Sequence, residues 1–439
     1  MPSRRHQPDP HRPRPATPRR FAASVLVLFT LLTLLATALP ATAGASTIGR
    51  RITAILRDNG VATSRTSVSV YDRTAGASLY AWNSATLLAP ASNMKLVTSS
   101  SALVTWPADH RFPTSLFFTL PLKPGQRTIY GDVYLKGYGD PAFSTLTYQR
   151  EAYGIKTGSI QEFVAYLKGL GVRKVQGRVF GDATWFDAQR VVSSWSPHLW
   201  VECGPLSALS LNENWYAGER VDDPPLYVAR RFRTLLERNG IDVVGAARAG
   251  KVPAGARCMH TVYSAPLATL LKVLNKDSDN FFAEMLLKGL GRDVYGVGST
   301  AAGLRVARET LAALGVPDDA YRLYDGSGLC YLDRLSAKGI VRLLRAMRLR
   351  DDWATFRASL AIAGVDGTLE TRMRGTAAAG NFRGKTGTLR ISCCLSGAVQ
   401  SADGHQVFVA MLMNGDPVDV YRARRAQDQI AVALARADL

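Results

Sequence analysis

The chain is poor in histidine and cysteine, two side chains that many enzymes use for metal binding and acid–base catalysis. It contains six His and five Cys in 439 residues. Two of the His lie within the first eleven residues and no two cysteines have the C-x-x-C spacing, so we predict no zinc site. A G-x-S-x-G motif is also absent, which, with so few His, argues against a Ser-His-Asp hydrolase.

Long apolar runs are absent after the first 45 residues. The N-terminus differs, because a stretch rich in Arg, His and Pro precedes the uncharged run Phe21–Leu39 and the small residues Ala41, Thr42 and Ala43. This order predicts a secretory signal peptide that is cleaved after Ala43. Since the apolar run is nearly long enough to span a bilayer, an uncleaved anchor is the alternative. Either way, the rest of the chain is expected outside the cytoplasm.

Acidic residues are outnumbered, with 54 Lys+Arg against 35 Asp+Glu and a formal net charge of +19. Loss of residues 1–43, which contain six Arg and one Asp, would lower the charge to +14. A basic exported protein is attracted to anionic polymers and lipid headgroups, so peripheral association with the cell wall or membrane surface is expected. Generic solubility explains the charge equally well. No dense basic run alternates with aromatic residues, so nucleic-acid binding is not predicted.

The hydrophobic pattern predicts an α+β protein whose sheet is built from both ends of the chain. Thr66–Asp72 and Ala77–Trp82 alternate apolar and polar residues around a Thr-Ala-Gly turn, which predicts a β-hairpin. Leu389–Val399 and Gln406–Met413 flank an Asp-Gly turn and predict a second hairpin. Helical patterns occupy residues 48–58, 90–104, 267–290, 299–314, 336–348 and 418–436.

Residues 113–260 have a different character. Short β-like stretches alternate there with Gly, Pro and Asp turns, and one clear helix, Tyr227–Asn239, lies among them. We therefore predict a β-rich insert of one or more domains at 113–260. Residues 44–112 and 261–439 would form the main domain, and residues 1–43 the signal peptide.

The first motif that carries chemistry is Ser92-Asn93-Met94-Lys95, at the predicted start of a helix. Positions i and i+3 share a helix face, so the Lys95 amine can reach the Ser92 hydroxyl. A serine hydroxyl needs a base to act as a nucleophile, and a lysine can be that base if burial lowers its pKa. An isolated S-x-x-K is more often a helix cap followed by a solvated lysine.

The second motif is Ser278-Asp279-Asn280, which leads into an apolar run. Its hydroxyl can relay a proton and its amide can hold a substrate, although an isolated S-x-N is more often a helix cap. The stretch 210–212 (Ser-Leu-Asn) has the same pattern and serves as a decoy.

The third motif is Lys385-Thr386-Gly387-Thr388, followed by an alternating stretch. A strand edge with Gly lets a substrate backbone lie alongside it, while the cation and hydroxyls can bind a carboxylate. The stretch 156–158 (Lys-Thr-Gly) repeats the pattern, but it precedes any S-x-N and no strand pattern follows it.

S-x-x-K, S-D-N and K-T-G in this order are the signature of penicillin-binding proteins and class A β-lactamases. Ser92 and Ser278 are 186 residues apart, far more than a β-lactamase core needs. The chain is similar to the D-alanyl-D-alanine carboxypeptidase/endopeptidase family (class C, type-4 penicillin-binding proteins), which carries extra domains at that point. The resemblance covers nearly the whole mature chain, through residues 131–141, 177–187, 275–284, 325–329 and 362–375.

The resemblance implies a serine β-lactamase/transpeptidase-like core, with an antiparallel sheet flanked by helices. It implies that Ser92 is the nucleophile, Lys95 its base and Ser278 the proton relay to the leaving amine. Asp325 is expected either to line the site or to cap its loop. The implied substrate-binding residues are Asn280, Lys385, Thr386, Gly387 and Thr388, and the backbone N–H groups of Ser92 and Thr388 would form the oxyanion hole. No metal or organic cofactor is implied.

The implied activity is hydrolysis of peptidoglycan stem peptides ending in D-Ala-D-Ala through an acyl-enzyme, with β-lactam antibiotics as covalent inhibitors. Two alternatives remain open. The long insert argues against a serine β-lactamase, and the intact motifs argue against a wall-binding homologue that has lost catalysis.

Five cysteines are an odd number for an oxidising compartment, so one or two disulfides and at least one free thiol are expected. Cys330 follows the Asp325–Leu329 loop, and both this loop and the strand after the K-T-G motif should flank the site. We therefore predict a bridge from Cys330 to Cys393 or Cys394, of which only one can face it. A second bridge, Cys203–Cys258, is predicted within the insert.

Overall fold

The computed structural model of the protein describes residues 43–439, so the predicted signal peptide lies outside the described residues except for its last position. Within this range no helix is both long enough and apolar enough to cross a membrane. The α-helices are α1 (Ala43–Asp58), α2 (Met94–Thr105), α3 (Leu146–Tyr148), α4 (Ile160–Gly169), α5 (Pro224–Arg238), α6 (Leu267–Lys272), α7 (Asn280–Tyr295), α8 (Thr300–Ala313), α9 (Ala337–Arg348), α10 (Trp353–Ser359) and α11 (Val420–Ala435).

The strands form two larger sheets, one smaller sheet and two short ribbons. They are β1 (Thr66–Asp72), β2 (Ala77–Trp82), β3 (Pro113–Phe118), β4 (Thr128–Ile129), β5 (Val133–Gly137), β6 (Lys174–Val175), β7 (Val179–Asp182), β8 (Trp215–Tyr216), β9 (Glu219–Arg220), β10 (Asp242–Val243), β11 (Arg248–Ala249), β12 (Arg257–Tyr263), β13 (Tyr321–Arg322), β14 (Arg334–Leu335), β15 (Ala361–Ile362), β16 (Arg383–Leu389), β17 (Ser392–Gln400) and β18 (Gln406–Asn414).

The main sheet has the order β15-β16-β17-β18-β1-β2, and all of its strand pairs are antiparallel. The predicted hairpin from the start of the chain therefore pairs with the predicted hairpin near its end. Successive side chains of β1 point to opposite faces of the sheet. Val68 and Val70 join the core on one face. On the other face, the Ser67 hydroxyl accepts a hydrogen bond from the Ala337 N–H of α9. The predicted α+β class is confirmed.

Helices cover both faces of the main sheet. On one face α1 and α11 pack against the strands, with Ile52, Leu56 and Ile430 in the shared core. On the other face lies α2, whose residues Met94–Leu103 are all buried. α2 packs against α7 and α8 and is buried along most of its length, so it gives firm support to the residues that precede it.

The segment predicted as an insert begins and ends on neighbouring strands, because β3 pairs antiparallel with β12. These strands belong to a five-stranded sheet with the order β11-β7-β5-β3-β12. The predicted boundary at 113 coincides with the start of β3, whereas the boundary at 260 falls inside β12. The division of the chain into domains stays a prediction.

One helix in this segment, α4, is not among the helices that the sequence predicts. Ser159 and Glu162 form a capping box at its start, and Ile160, Phe163 and Leu167 are buried at helical spacing. Both signals are present in the sequence. They were obscured because the helix is short and stands among β-like stretches.

Two predicted elements are divided in the structure. The predicted strand 389–399 starts at Ser392, and the third motif lies in its own strand, β16, beyond a turn at Arg390 and Ile391. The predicted helix 267–290 is broken by a π-helical turn and by Ser278, whose φ of 66° is left-handed. Neither break contains the Gly or Pro that marks a reversal in sequence, so hydrophobic periodicity alone could not place them.

The disulfide predictions are wrong, because all five cysteines are free thiols in the structure. Cys394 joins the core under α2, whereas Cys393 faces α11, where its backbone carbonyl accepts from the Gln427 amide. The Cys330 thiol instead lies 3.5 Å from the Ser194 carbonyl oxygen of the insert. Cys203 is buried whereas Cys258 is exposed on β12. Shared proximity to the site therefore did not bring any two sulfur atoms together.

Candidate active site

Ser92 lies in a 3₁₀ turn, Ala91–Asn93, that leads directly into α2. Lys95 is in the first turn of α2, and its Nζ donates to Ser92 Oγ at 3.0 Å. The i, i+3 spacing therefore places the amine against the hydroxyl, as the first motif predicts.

Two further hydrogen bonds fix the Lys95 amine. Nζ donates to Asn280 Oδ1 at 2.6 Å and to the Ser327 carbonyl oxygen at 2.8 Å. Complete burial lowers the pKa of Lys95 to about 8, and the lowering is opposed by the charges of nearby carboxyl groups, chiefly Asp325 and Asp279. Because this pKa is close to neutrality, a useful fraction of the amine is unprotonated and can accept a proton from Ser92.

Ser278, from the second motif, lines the same cavity as Ser92 of the first motif and Thr386 of the third. It follows the π-helical turn Val273–Asp277, and Asp279 then caps α7 by accepting from the Phe282 N–H at 2.8 Å. The left-handed backbone at Ser278 turns its hydroxyl toward β16, where Lys385 Nζ donates to it at 2.9 Å. A strained residue at a candidate site is consistent with a functional role for its orientation.

Lys385, a predicted substrate-binding residue, lies against Ser278. Its side chain is completely buried, and besides Ser278 Oγ its Nζ contacts the Thr386 carbonyl oxygen at 3.0 Å. Burial, reinforced by the positive charge of Lys95, holds the pKa of Lys385 well below its ordinary value. Lys385 therefore faces Ser278 from behind the cavity.

The edge of β16 is open where the motif lies. Strand β15 pairs only with Arg383 and Gly384, so residues 385–389 have β17 on one side and no strand partner among the described residues on the other. An extended peptide can add to such an edge through main-chain hydrogen bonds.

Gly387 allows this strand to approach the Ser92 turn. A Cβ atom at position 387 would lie 2.8 Å from the Pro90 carbonyl oxygen and 2.9 Å from the Ser92 nitrogen. The backbone of the third motif thus packs directly against the turn that carries the first.

We expect Gly387→Ala to push β16 away from Ser92 and to lower the acylation rate, at a stability cost of about 1–3 kcal/mol typical of overpacking. Penicillin acylation kinetics and thermal melting measure the two effects. Gly169→Ala is the matched control, because no atom lies within 4 Å of the added Cβ, at the end of α4. An unchanged acylation rate in Gly387→Ala would show that the close approach is not needed.

A cavity of about 660 Å³ opens onto Ser92, Ser278 and Asn280. The Asn280 Nδ2 group, opposite its bond with Lys95, donates to the Glu202 carbonyl oxygen at 2.9 Å and so ties α7 to the cavity wall. The other lining residues are Leu199, Glu202, Leu329, Tyr331, Thr368, Thr371, Arg372, Thr386, Gly387, Thr388, Leu389, Arg390 and Arg424. A cavity of about 710 Å³ elsewhere is lined by none of the motif residues.

Asp325 does not line this cavity. It is 1% exposed, and its carboxylate accepts hydrogen bonds from Trp195 Nε1 at 2.7 Å, the Gly328 N–H at 2.6 Å and the Cys330 N–H at 2.7 Å. Of its two expected roles, the structure therefore displays the loop-capping one. The capped loop presents the Ser327 carbonyl oxygen to Lys95.

Glu284 is a site residue that the motifs did not reveal. It is completely buried, and its carboxyl group accepts from the Gly326 and Ser327 N–H groups at 2.9 and 2.7 Å. Burial raises its pKa to about 8. Its position four residues after Asn280, on the same face of α7, was the signal available in the sequence.

The decoy motifs lie away from the cavity. The Ser210 hydroxyl is buried against the Asp140 carbonyl oxygen at 3.2 Å. The Thr157 hydroxyl accepts from the Ala265 N–H at 3.0 Å. Both stretches therefore have structural partners, and neither lines the site. Within the described residues, no group of three or more His, Cys, Asp or Glu is arranged to hold a metal ion.

An antiparallel sheet covered by helices, with a serine–lysine pair against an open strand edge, defines a serine enzyme of the penicillin-binding type. The sequence matches the D-Ala-D-Ala carboxypeptidase 3 (S13) family over residues 49–219 and 210–437, and the chain belongs to this family. The family predicted from the three motifs is thereby confirmed.

Curated and solved relatives agree with this assignment. A D-alanyl-D-alanine carboxypeptidase from an Actinomadura species is 32% identical, and the match covers 98% of this chain and 93% of the relative. Penicillin binding protein 4 from Haemophilus influenzae has the same fold, with a TM-score of 0.74, 18% identity, and coverage of 88% of this chain and 99% of that one. A second structure of that protein, in complex with a β-lactam, matches with a TM-score of 0.66, 19% identity, and coverage of 87% and 98%.

Proposed function

We propose that the protein is a serine-type D-alanyl-D-alanine carboxypeptidase/endopeptidase that hydrolyses peptidoglycan stem peptides and is acylated by penicillins. The observation that carries the proposal is the Lys95 amine at 3.0 Å from the Ser92 hydroxyl, beside the open edge of β16. Family membership supports it, as does the relative named D-alanyl-D-alanine carboxypeptidase.

In the proposed acylation, Ser92 Oγ attacks the carbonyl carbon of the penultimate D-Ala while neutral Lys95 takes its proton. Backbone N–H groups of Ser92 and Thr388 stabilise the oxyanion. The C–N bond then breaks, and Ser278 relays the proton that Lys95 took to the leaving amine of the terminal D-Ala, so that Lys95 is neutral again. Water hydrolyses the ester, returning the Ser92 hydroxyl and releasing the shortened peptide.

The substrate is held along β16. We propose that Asn280, Thr386, Gly387 and Thr388 contact the peptide, since all four line the cavity. Lys385 acts on Ser278 from behind, and the role of the sixth candidate, Asp325, is to hold the Ser327 carbonyl in place. This mechanism requires no cofactor.

Release of D-Ala tests the proposal. The purified protein should release D-Ala from a peptide ending in D-Ala-D-Ala, cleave cross-linked muropeptides, and form a long-lived adduct with a fluorescent penicillin. Rapid hydrolysis of the penicillin would favour a serine β-lactamase instead. Failure to cleave either peptide and to form the adduct would leave a wall-binding homologue without catalysis.

We further propose that the protein is exported and acts at the cell wall, with residues 44–112 and 261–439 as the catalytic domain and 113–260 as an inserted region. The pairing of β3 with β12 supports such an insert, since its ends lie side by side. The positive charge would favour contact with wall polymers or the membrane surface. N-terminal sequencing of the exported protein should begin at Gly44; a protein that begins at Met1 would contradict cleavage.

A further inference from the structure

Three arginines line the cavity beside Ser92, and they differ in how they are paired. Arg372 forms an ion pair with Asp428 at 2.7 Å, and Arg390 forms one with Asp416 at 3.0 Å. Arg424 has no carboxylate partner among the described residues, although it projects from α11 into the same cavity. Its positive charge is therefore available to a ligand.

Arg424 also lies beside a hydroxyl expected to contact the substrate. Its Nη2 group is 3.4 Å from Thr388 Oγ1, on the open edge of β16, and the guanidinium is near the Cys393 thiol. When Thr388 Oγ1 accepts from Arg424, the hydroxyl proton remains free to be donated to a ligand. Guanidinium and hydroxyl can therefore bind one carboxylate group together.

Lys385 cannot supply this contact without moving, because it is completely buried and its amine is occupied by Ser278 Oγ and the Thr386 carbonyl oxygen. The cavity nevertheless needs a cation if the substrate ends in a free carboxylate that loses water on binding.

We propose that Arg424 binds the C-terminal carboxylate of the peptide substrate, together with Thr388, and so makes the enzyme selective for peptides with a free carboxyl end. The inference rests on the proposed peptidase function and deepens it. The planar guanidinium offers two parallel N–H donors to a carboxylate, a geometry that a lysine ammonium cannot reproduce.

The test compares two peptides that differ only at the C-terminus, one ending in D-Ala-D-Ala with a free carboxylate and the other in the corresponding amide. Arg424→Ala should lower kcat/KM for the acid about 10- to 100-fold, the range of a charged hydrogen bond, and leave the amide nearly unchanged. Arg424→Lys should recover part of the lost kcat/KM, because a lysine restores the positive charge but not the two parallel N–H donors of the guanidinium. Arg425→Ala is the matched control, since Arg425 is the next exposed residue of α11 and does not line the cavity.

Equal losses on acid and amide, or no loss on the acid, would overturn the role of Arg424 while leaving the peptidase assignment intact. Thermal melting of each variant separates loss of binding from loss of fold. If the unmodified protein cleaves neither peptide and forms no Ser92 adduct with penicillin, the proposed function itself is overturned, and the inference with it.

Discussion

A Ser92→Ala variant is expected to form no covalent adduct with penicillin and to release no D-Ala from a peptide substrate. The reason is that Ser92 Oγ is the atom that would form the new bond. No other hydroxyl among residues 43–439 lies within hydrogen-bond distance of Lys95 Nζ, so none is positioned to replace it. Mass spectrometry of the digested adduct should locate the modification on the peptide that contains Ser92.

Ser100→Ala is a matched control for this variant. Ser100 lies on α2, its side chain is buried, and its hydroxyl has no hydrogen-bond partner in the described residues. Its removal should therefore leave both fold and acylation unchanged. Ser210→Ala, in the decoy motif, should likewise still be acylated. An adduct on Ser278, Ser210 or any serine other than Ser92 would contradict the assignment of the nucleophile.

Lys95→Ala is expected to slow acylation about 10²- to 10⁴-fold, the usual cost of losing a general base. Ser92 would remain in its turn but would have no group to take its proton. Stopped-flow kinetics with a fluorescent penicillin measures the rate, and thermal melting shows whether the variant is folded. Lys95→Arg should be nearly as slow, because an arginine keeps a cation in place but has no accessible neutral form.

The pH dependence of the unmodified protein provides an independent check on Lys95. Because the neutral amine is the base, the acylation rate should rise with pH as Lys95 loses its proton around its pKa of about 8, and then level off. Burial is the main cause that lowers this pKa, and the nearby Asp325, Asp279 and Glu284 carboxyl groups oppose the lowering. The rise should disappear in Lys95→Ala. A flat profile in the unmodified protein would argue against lysine as the base.

The sequence was most informative where chemistry imposes spacing. Ser92 and Lys95 are three residues apart on one helical turn, so local geometry alone brings them together. Contact between Lys385 and Ser278, by contrast, depends on how β16 packs against the π-helical turn, and no local pattern describes that packing. The order of the three motifs along the chain nevertheless indicates the family, even though the sequence alone does not predict this contact.

The wrong disulfide predictions and the unpredicted position of Arg424 have a common physical origin. The thiols of Cys330 and Cys394 lie in segments that border the same site, yet each has its own neighbour, Ser194 in one case and Ser392 in the other. Likewise, α11 carries Arg422, Arg424 and Arg425, and the sequence cannot show that Arg424 lines the cavity whereas its two neighbours do not. Such differences arise from long-range packing, which is fixed only when the whole core has formed.

The strand order of the main sheet has a consequence for how the protein folds during its synthesis. β1, near the start of the chain, lies between β2 and β18, and β18 ends at Asn414. Because β1 and β18 are far apart in the sequence, their pairing has a high contact order, and it cannot occur before β18 has been synthesised. Nascent chains that stop before β18 would thus lack the strand that joins β1 to β17 in the main sheet.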